Sequence, residues 1–211
     1  MYPVRVEARR QERYHRWLPL VKWLLAFPHY FVLLFLLLGA AFAVLAAFFA
    51  VLVTGRYPRG IFDYVVGVMQ WGWRVQAYVG LLRDEYPPFS LGPDEAYPAT
   101  LEIDYPEQGI DRWRPLVHWL LAIPYFFIGH LLNLVSRLLL FVAGIVILFT
   151  EEFPAGLFTM VVGASRWGTR GAAYALFMVD RYPPWDFDEL TAQPAPGSGS
   201  PGSPVATPQA P

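Results

Sequence analysis

Eight polar side chains interrupt the apolar stretches of this sequence, and they are the residues whose types and spacing could do chemistry. They are Asp63, Gln70, Arg74, His130, Asn133, Arg137, Arg166 and Arg170. They form three groups along the sequence, which are Asp63, Gln70 and Arg74, then His130, Asn133 and Arg137, then Arg166 and Arg170. Within each group the residues are three, four or seven positions apart, so each group forms one stripe on a helix. A charge that faces lipid at the bilayer centre costs about 2.5–3.5 kcal/mol, so we expect the stripes to face other helices or water.

Two interpretations of these polar residues remain open. In the first, Asp63 forms a buried ion pair with one of the arginines Arg137, Arg166 and Arg170, and this pair fixes how the helices dock. In the second, the polar side chains line a path for an ion or a lipid headgroup. Such a path would favour anions, because Asp63 is the only acid among several basic groups.

The sequence offers no pattern of catalytic or metal-binding residues. The histidines are His15, His29, His118 and His130, and no two of them are three or four residues apart, as a metal site on one helix face would require. His29 and His118 are expected near helix ends, where an imidazole is solvated. Cysteine is absent, and neither a nucleophile elbow nor a glycine-rich phosphate loop is present. We therefore expect a protein that is not an enzyme and uses no metal or other cofactor.

Composition indicates a lipid environment for this chain. Hydrophobic residues make up 55% of the sequence and aromatic residues 17%, while charged residues account for only 16%, which is outside the range of ordinary soluble domains. The formal net charge of -1 argues against nucleic acid as a partner, because phosphate binding requires a basic face. The lipid bilayer is the partner that this composition predicts.

The chain contains a duplication with a constant offset of 96 positions. The segment 17–31 recurs at 113–127, and the segment 54–88 recurs at 150–184, without a gap. The two units imply a first repeat over 1–89, a connector over 90–98 and a second repeat over 99–190. The remaining residues, 191–211, are rich in Pro, Gly, Ser and Ala and carry no charge, which predicts a disordered tail.

Each repeat is expected to contribute two transmembrane helices, which gives an all-α membrane protein built from two parallel repeats. The predicted spans are 29–53, 61–82, 125–149 and 157–179. Pro28 is expected to separate the first span from a short interfacial helix over 19–27, and the second repeat repeats this plan.

Tryptophans and short alternating segments mark the edges of the predicted membrane region. Six tryptophans are expected to lie at the membrane surface, and they are Trp17, Trp23, Trp71, Trp113, Trp119 and Trp167. Residues 3–7 and 101–105 alternate between apolar and polar, which predicts two short strands that pair outside the membrane.

The distribution of arginine and lysine favours four crossings with both termini in the cytoplasm. This arrangement places most of the flanking basic residues on one side of the membrane, in agreement with the positive-inside rule. A second arrangement, in which the second helix of each repeat lies flat in the interface, distributes the basic residues more evenly and stays open.

Three motifs carry a resemblance to a known family. They are Trp23 to Tyr30 (Trp-Leu-Leu-Ala-Phe-Pro-His-Tyr), Thr54 to Gly60 (Thr-Gly-Arg-Tyr-Pro-Arg-Gly) and Tyr86 to Phe89 (Tyr-Pro-Pro-Phe). The sequence resembles, over nearly all of 1–190, a bacterial membrane family catalogued as domain of unknown function 4389. The second half departs from the pattern at Glu151 and Glu152. The resemblance implies an integral membrane location and supplies no activity.

These observations lead to two hypotheses for function. The first is a non-catalytic inner-membrane protein that acts as an accessory or structural subunit of a larger membrane-protein complex, or that organises lipid. The alternative is a small transporter, scramblase or anion-favouring channel that uses the polar residues, with a homo-oligomer as one possible form.

Overall fold

A computed structural model describes residues 2–94 and 96–187. This part of the chain contains two strands and five helices, which are β1 (Val4–Ala8), α1 (Leu18–Leu25), α2 (Phe27–Thr54), α3 (Arg59–Val79), β2 (Ala99–Ile103), α4 (Pro115–Thr150) and α5 (Ala155–Ala175). The predicted tail over 191–211 lies outside the described residues. The mostly helical character, the two tandem repeats and the short strand pair are confirmed.

The expected short helix before the long helix is present in the first repeat, as α1 before α2, and it is missing from the second repeat, where one helix continues through the proline. Only Ala26 lies between α1 and α2, and its N–H donates to the carbonyl of Lys22 at 2.9 Å while its carbonyl accepts from the N–H of Tyr30 at 3.1 Å. In the second repeat, α4 is one helix of 36 residues with Pro124 in its interior. A proline removes one backbone donor, and a helix with strongly apolar flanks can continue past it with a kink.

The turn after each long helix uses the left-handed backbone region. Gly55 follows α2 with a φ of 71°, and the equivalent residue after α4 is Glu151 with a φ of 59°. Glycine adopts this conformation without a steric penalty, whereas glutamate does not. The second repeat therefore stores backbone strain at a position where the first repeat has none.

The two strands form an antiparallel pair that we call the strand ribbon. Its register pairs Val4 with Ile103, Val6 with Leu101 and Ala8 with Ala99, and these six side chains are buried. Alternate residues point away from the protein, and among them Arg5 forms ion pairs with Glu102 at 3.0 Å and Asp104 at 2.8 Å. The pairing predicted from the alternating segments is confirmed.

Each strand packs on the helix of the other repeat, so the two repeats interlock. Strand β1 lies on α5 and strand β2 lies on α3. Two backbone bonds link the repeats in the same reciprocal way, from Ile110 N to Gly55 O and from Tyr14 N to Glu151 O, both at 2.8 Å. The two bonds are equivalent under the duplication, because Tyr14 corresponds to Ile110 and Gly55 corresponds to Glu151 at the offset of 96 residues. The repeats are therefore related by an approximate twofold axis, which passes through the centre of the ribbon.

The molecule has three layers, with the strand ribbon outermost, α3 and α5 in the middle and α2 and α4 on the far side. Each long helix buries one narrow stripe along its whole length. The buried residues of α2 are His29, Leu33, Ala40, Ala47 and Val51. Those of α4 are Pro115, His118, Ala122, Tyr125, Ser136, Ala143 and Ile147. The opposite side of both helices exposes large apolar side chains, and we call it the outer face.

Among the described helices, α2 and α4 are long and apolar enough to cross a membrane. Helices α3 and α5 do not meet the same criteria, because each carries a polar side between its apolar positions. The structure therefore supports two candidate spans, and four spans are not shown.

Candidate functional site

The middle of α3 and the middle of α5 hold the ribbon through equivalent side chains. Gln70 donates from Nε2 to the carbonyl of Leu101 at 3.0 Å, and Arg166 donates from Nε to the carbonyl of Val6 at 2.9 Å. Val6 and Leu101 are paired at the centre of the ribbon. A strand edge leaves every second carbonyl without a partner in the ladder, and these two side chains supply the missing donors.

Arg74 and Arg170 also point toward the ribbon side of the molecule. Arg74 is 2% exposed and donates to the carbonyls of Ser90 at 2.7 Å and Gly92 at 3.1 Å. The guanidinium of Arg170 lies over the ring of Tyr2, with 5.3 Å to the ring centroid. Both arginines thus hold segments that cover the middle layer.

A small cavity borders this region. Its volume is about 110 Å³, and its lining includes Gln70, Arg74, Asp94 and Glu102. Arg74 Nη1 is buried and has no hydrogen-bond partner among the described residues. The cavity is polar and has room for water, which is the usual partner of such a buried group.

The other four residues of the predicted set are exposed. His130, Asn133 and Arg137 lie on one flank of the outer face of α4, and Asp63 lies exposed on α3. The ion pairs between described residues do not include Asp63. The structure therefore divides the eight residues into two groups, one that holds the ribbon and its neighbouring loop and one that faces outward.

An ion pair that sequence reasoning did not identify joins the last turn of α1 to the segment that follows α3. Lys22 is 1% exposed, and its Nζ contacts Asp84 Oδ1 at 2.7 Å and donates to the carbonyl of Arg83 at 2.7 Å. Burial lowers the pKa of Lys22, and the bond to Asp84 opposes this shift. The duplication offered a signal, since Asp84 recurs as Asp180, which pairs with Arg114 at 2.7 Å.

The expectation that His29 and His118 are solvated is wrong, because both are buried. His29 Nδ1 accepts a hydrogen bond from Trp71 Nε1 at 3.0 Å, and the imidazole stacks on Phe89 with 3.9 Å between ring centroids. His118 Nδ1 lies 3.0 Å from the carbonyl of Tyr174, so this nitrogen carries the proton. The segment that follows α3 covers His29, and the segment that follows α5 covers His118.

The tryptophans fall into two groups. Trp71 and Trp167 are buried at 5% and 3% exposure, so the expectation that they lie at the membrane surface is wrong. Trp71 bonds to His29, and Trp167 stacks on Tyr125 with 4.4 Å between centroids. The other four tryptophans are exposed, and they are Trp17, Trp23, Trp113 and Trp119.

In the part of the chain that the structure describes, no group of three or more His, Cys, Asp or Glu side chains is arranged to hold a metal ion. The fold and the site together define a mostly helical tandem-repeat protein with two helices long and apolar enough to cross a membrane.

The chain belongs to the family described as Domain of unknown function (DUF4389), whose model matches it twice, over residues 17–90 and 112–186. The family resemblance found in the sequence is thus confirmed, with one copy of the domain in each repeat. No curated protein and no solved structure matched the chain.

Proposed function

We propose that this protein is a non-catalytic component of the bacterial inner membrane that organises lipid or serves as an accessory subunit of a membrane assembly. The observation that carries the proposal is the outer face, where large apolar side chains remain exposed along the whole of α2 and α4. Examples are Leu34 at 63%, Phe42 at 66%, Leu138 at 64% and Phe141 at 69%. An apolar surface of this extent on a folded chain is typical of contact with lipid or with another membrane protein.

The contacts of the polar residues support a non-catalytic role. Gln70, Arg74 and Arg166 are occupied by backbone carbonyls of the ribbon and its neighbouring loop. Side chains that satisfy fixed carbonyls stabilise the fold, which favours a structural role for these three residues.

The proposed location includes both termini on the cytoplasmic side. The support is the positive-inside rule, because Arg9, Arg10, Arg13 and Arg16 of the N-terminal flank then lie on the cytoplasmic side of the membrane. Four crossings are compatible with the proposed role, and the role does not depend on them.

A transporter or scramblase is the second candidate, and it is favoured by one observation. His130, Asn133 and Arg137 form an exposed polar flank near the middle of α4, between apolar neighbours. A lipid headgroup could follow such a flank, alone or between copies of a homo-oligomer. If so, Arg137→Leu would abolish lipid scrambling in proteoliposomes without changing the amount of folded protein.

Native mass spectrometry of the protein, extracted from its own membrane in a mild detergent, tests the first proposal. A second protein in fixed stoichiometry supports an accessory subunit, and a defined set of retained lipids supports a lipid organiser. A lone chain with neither bound protein nor retained lipid, together with scrambling that is lost in Arg137→Leu, would contradict the proposal in favour of transport.

A further inference from the structure

The position of the strand ribbon constrains how the helices can lie in a membrane. The central pair of the ribbon, Val6 and Leu101, is bonded to Arg166 and Gln70. These two residues are at the middle of α5 (Ala155–Ala175) and α3 (Arg59–Val79). The ribbon therefore covers the helix centres and not the helix ends.

A bundle that crossed the bilayer would place this ribbon in the hydrocarbon. The centres of α3 and α5 would lie near the midplane, and the outward side chains of Arg5, Glu102 and Asp104 would lie there with them. These side chains are between 35% and 61% exposed. Charged groups at the midplane are strongly disfavoured, and open sheet edges do not occur where they would face lipid.

The connections show that the long helices run alongside the middle layer and do not leave it. The chain after α2 bonds to Ile110, shortly before α4, and the chain after α4 bonds to Tyr14, shortly before α1. The two long helices therefore run in opposite directions between the same two ends of the molecule. The chain after α3 returns to Lys22 in α1, so α3 also runs between these ends.

The two broad faces of the resulting slab differ in chemistry. The outer face of α2 and α4 is apolar along its length, with Phe35, Phe42 and Phe49 exposed at 58%, 66% and 59%. The opposite face carries the ribbon and its ion pairs. Trp17 and Trp113, exposed at 62% and 78%, lie at opposite ends of the slab, next to the starts of α1 and α4.

We propose that the protein lies flat in a single leaflet, with α2 and α4 in the plane of the membrane and no helix that crosses it. The occupant of the outer face is the lipid of that leaflet. The ribbon faces water, and the approximate twofold axis lies along the membrane normal. On the flank of α4, Arg137 then reaches the phosphate level, where an arginine extends its charged end toward water. This placement is independent of the proposed role and differs from the arrangement with four crossings.

Cysteine labelling from each side of the membrane tests the placement, because the chain has no native cysteine. Three exposed sites are used, Arg56→Cys after α2, Glu152→Cys after α4 and Thr100→Cys on the ribbon. Spheroplasts and inverted vesicles are treated with a membrane-impermeant maleimide, and labelling in SDS gives the full signal for each variant. The flat placement predicts that all three sites react from the same side. Reaction of Arg56→Cys and Glu152→Cys from opposite sides of the membrane, the result expected if the two antiparallel long helices crossed it, would overturn the flat placement, as would reaction of both sites from the side opposite to Thr100→Cys.

Depth measurements on α2 provide a second test that does not depend on the loops. Nitroxide labels at Phe35→Cys, Phe42→Cys and Phe49→Cys lie on one helix face at seven-residue spacing. The flat placement predicts equal depth at the three sites, measured in lipid nanodiscs by the ratio of oxygen to nickel-chelate accessibility. A maximum of depth at position 42 would overturn it. Strong dipolar coupling between labels at position 42 of two copies would show that a second copy covers the face, and would also overturn it.

Discussion

Replacement of Gln70 by leucine removes one of the two side-chain donors that hold the centre of the strand ribbon. Gln70 Nε2 lies 3.0 Å from the carbonyl of Leu101, a group that the two-stranded ladder leaves without a partner. Leaving a buried acceptor unsatisfied costs about 1–3 kcal/mol. The polar cavity of about 110 Å³ beside Gln70 can admit water to this carbonyl. We therefore expect Gln70→Leu to lower the free energy of unfolding by about 1–2 kcal/mol, in the lower part of that range.

The matched control is Gln76→Leu on the same helix. Gln76 is exposed, and its contact with Ser165 Oγ is long at 3.4 Å, so its replacement should change stability by less than about 0.5 kcal/mol. The assay is unfolding by SDS in mixed micelles, followed by tryptophan fluorescence. Equal losses in the two variants would refute the reasoning that the ribbon is held by side-chain donors from the middle layer.

Four further single substitutions and one double variant test other parts of the fold in the same assay. Lys22→Met should destabilise by about 2–3 kcal/mol because it leaves Asp84 without its buried partner, and Lys22→Met with Asp84→Asn should recover part of the loss; no recovery would exclude the ion pair as the cause. Glu151→Gly should be more stable than Glu151→Ala by roughly 0.5–1 kcal/mol, because both variants lose the ion pair with Arg16 and only glycine tolerates the left-handed backbone at this turn; equal stabilities would contradict the strain. Arg83 lowers the pKa of the Glu85 carboxyl through their hydrogen bond. The stability that this ion pair contributes is therefore fully present above the ordinary carboxyl pKa of about 4.3, and it is lost as pH falls through the lowered pKa. Glu85→Gln should reduce the loss of stability at acid pH. An unchanged loss would show that other groups cause it.

Local patterns in the sequence were sufficient for most of the secondary structure. The alternation at residues 3–7 and 101–105 predicted two strands, and the structure has them at Val4–Ala8 and Ala99–Ile103. Such patterns are readable because side-chain periodicity reflects the local backbone geometry. The strands follow from local sequence, but the helix on which each one packs does not.

The candidate site was only partly predictable for the same reason. Gln70 and Arg166 were predicted as members of polar stripes, but the carbonyls to which they donate were not identified. A polar stripe on a helix is satisfied equally by water, by another helix or by a strand edge, and the sequence does not distinguish these partners. His29 is covered by Phe89, which is distant in the sequence, so its burial has no local signal.

The sequence by itself determined the duplication, the apolar helices, the paired strands and the family, because each of these depends on residue type and spacing along the chain. Only the tertiary structure decided that each strand crosses to the helix of the other repeat and that Lys22 is buried against Asp84. It also decided that α2 and α4 share one outer face opposite the ribbon. These features depend on contacts between residues far apart in sequence, where long-range packing chooses among partners that are locally equivalent.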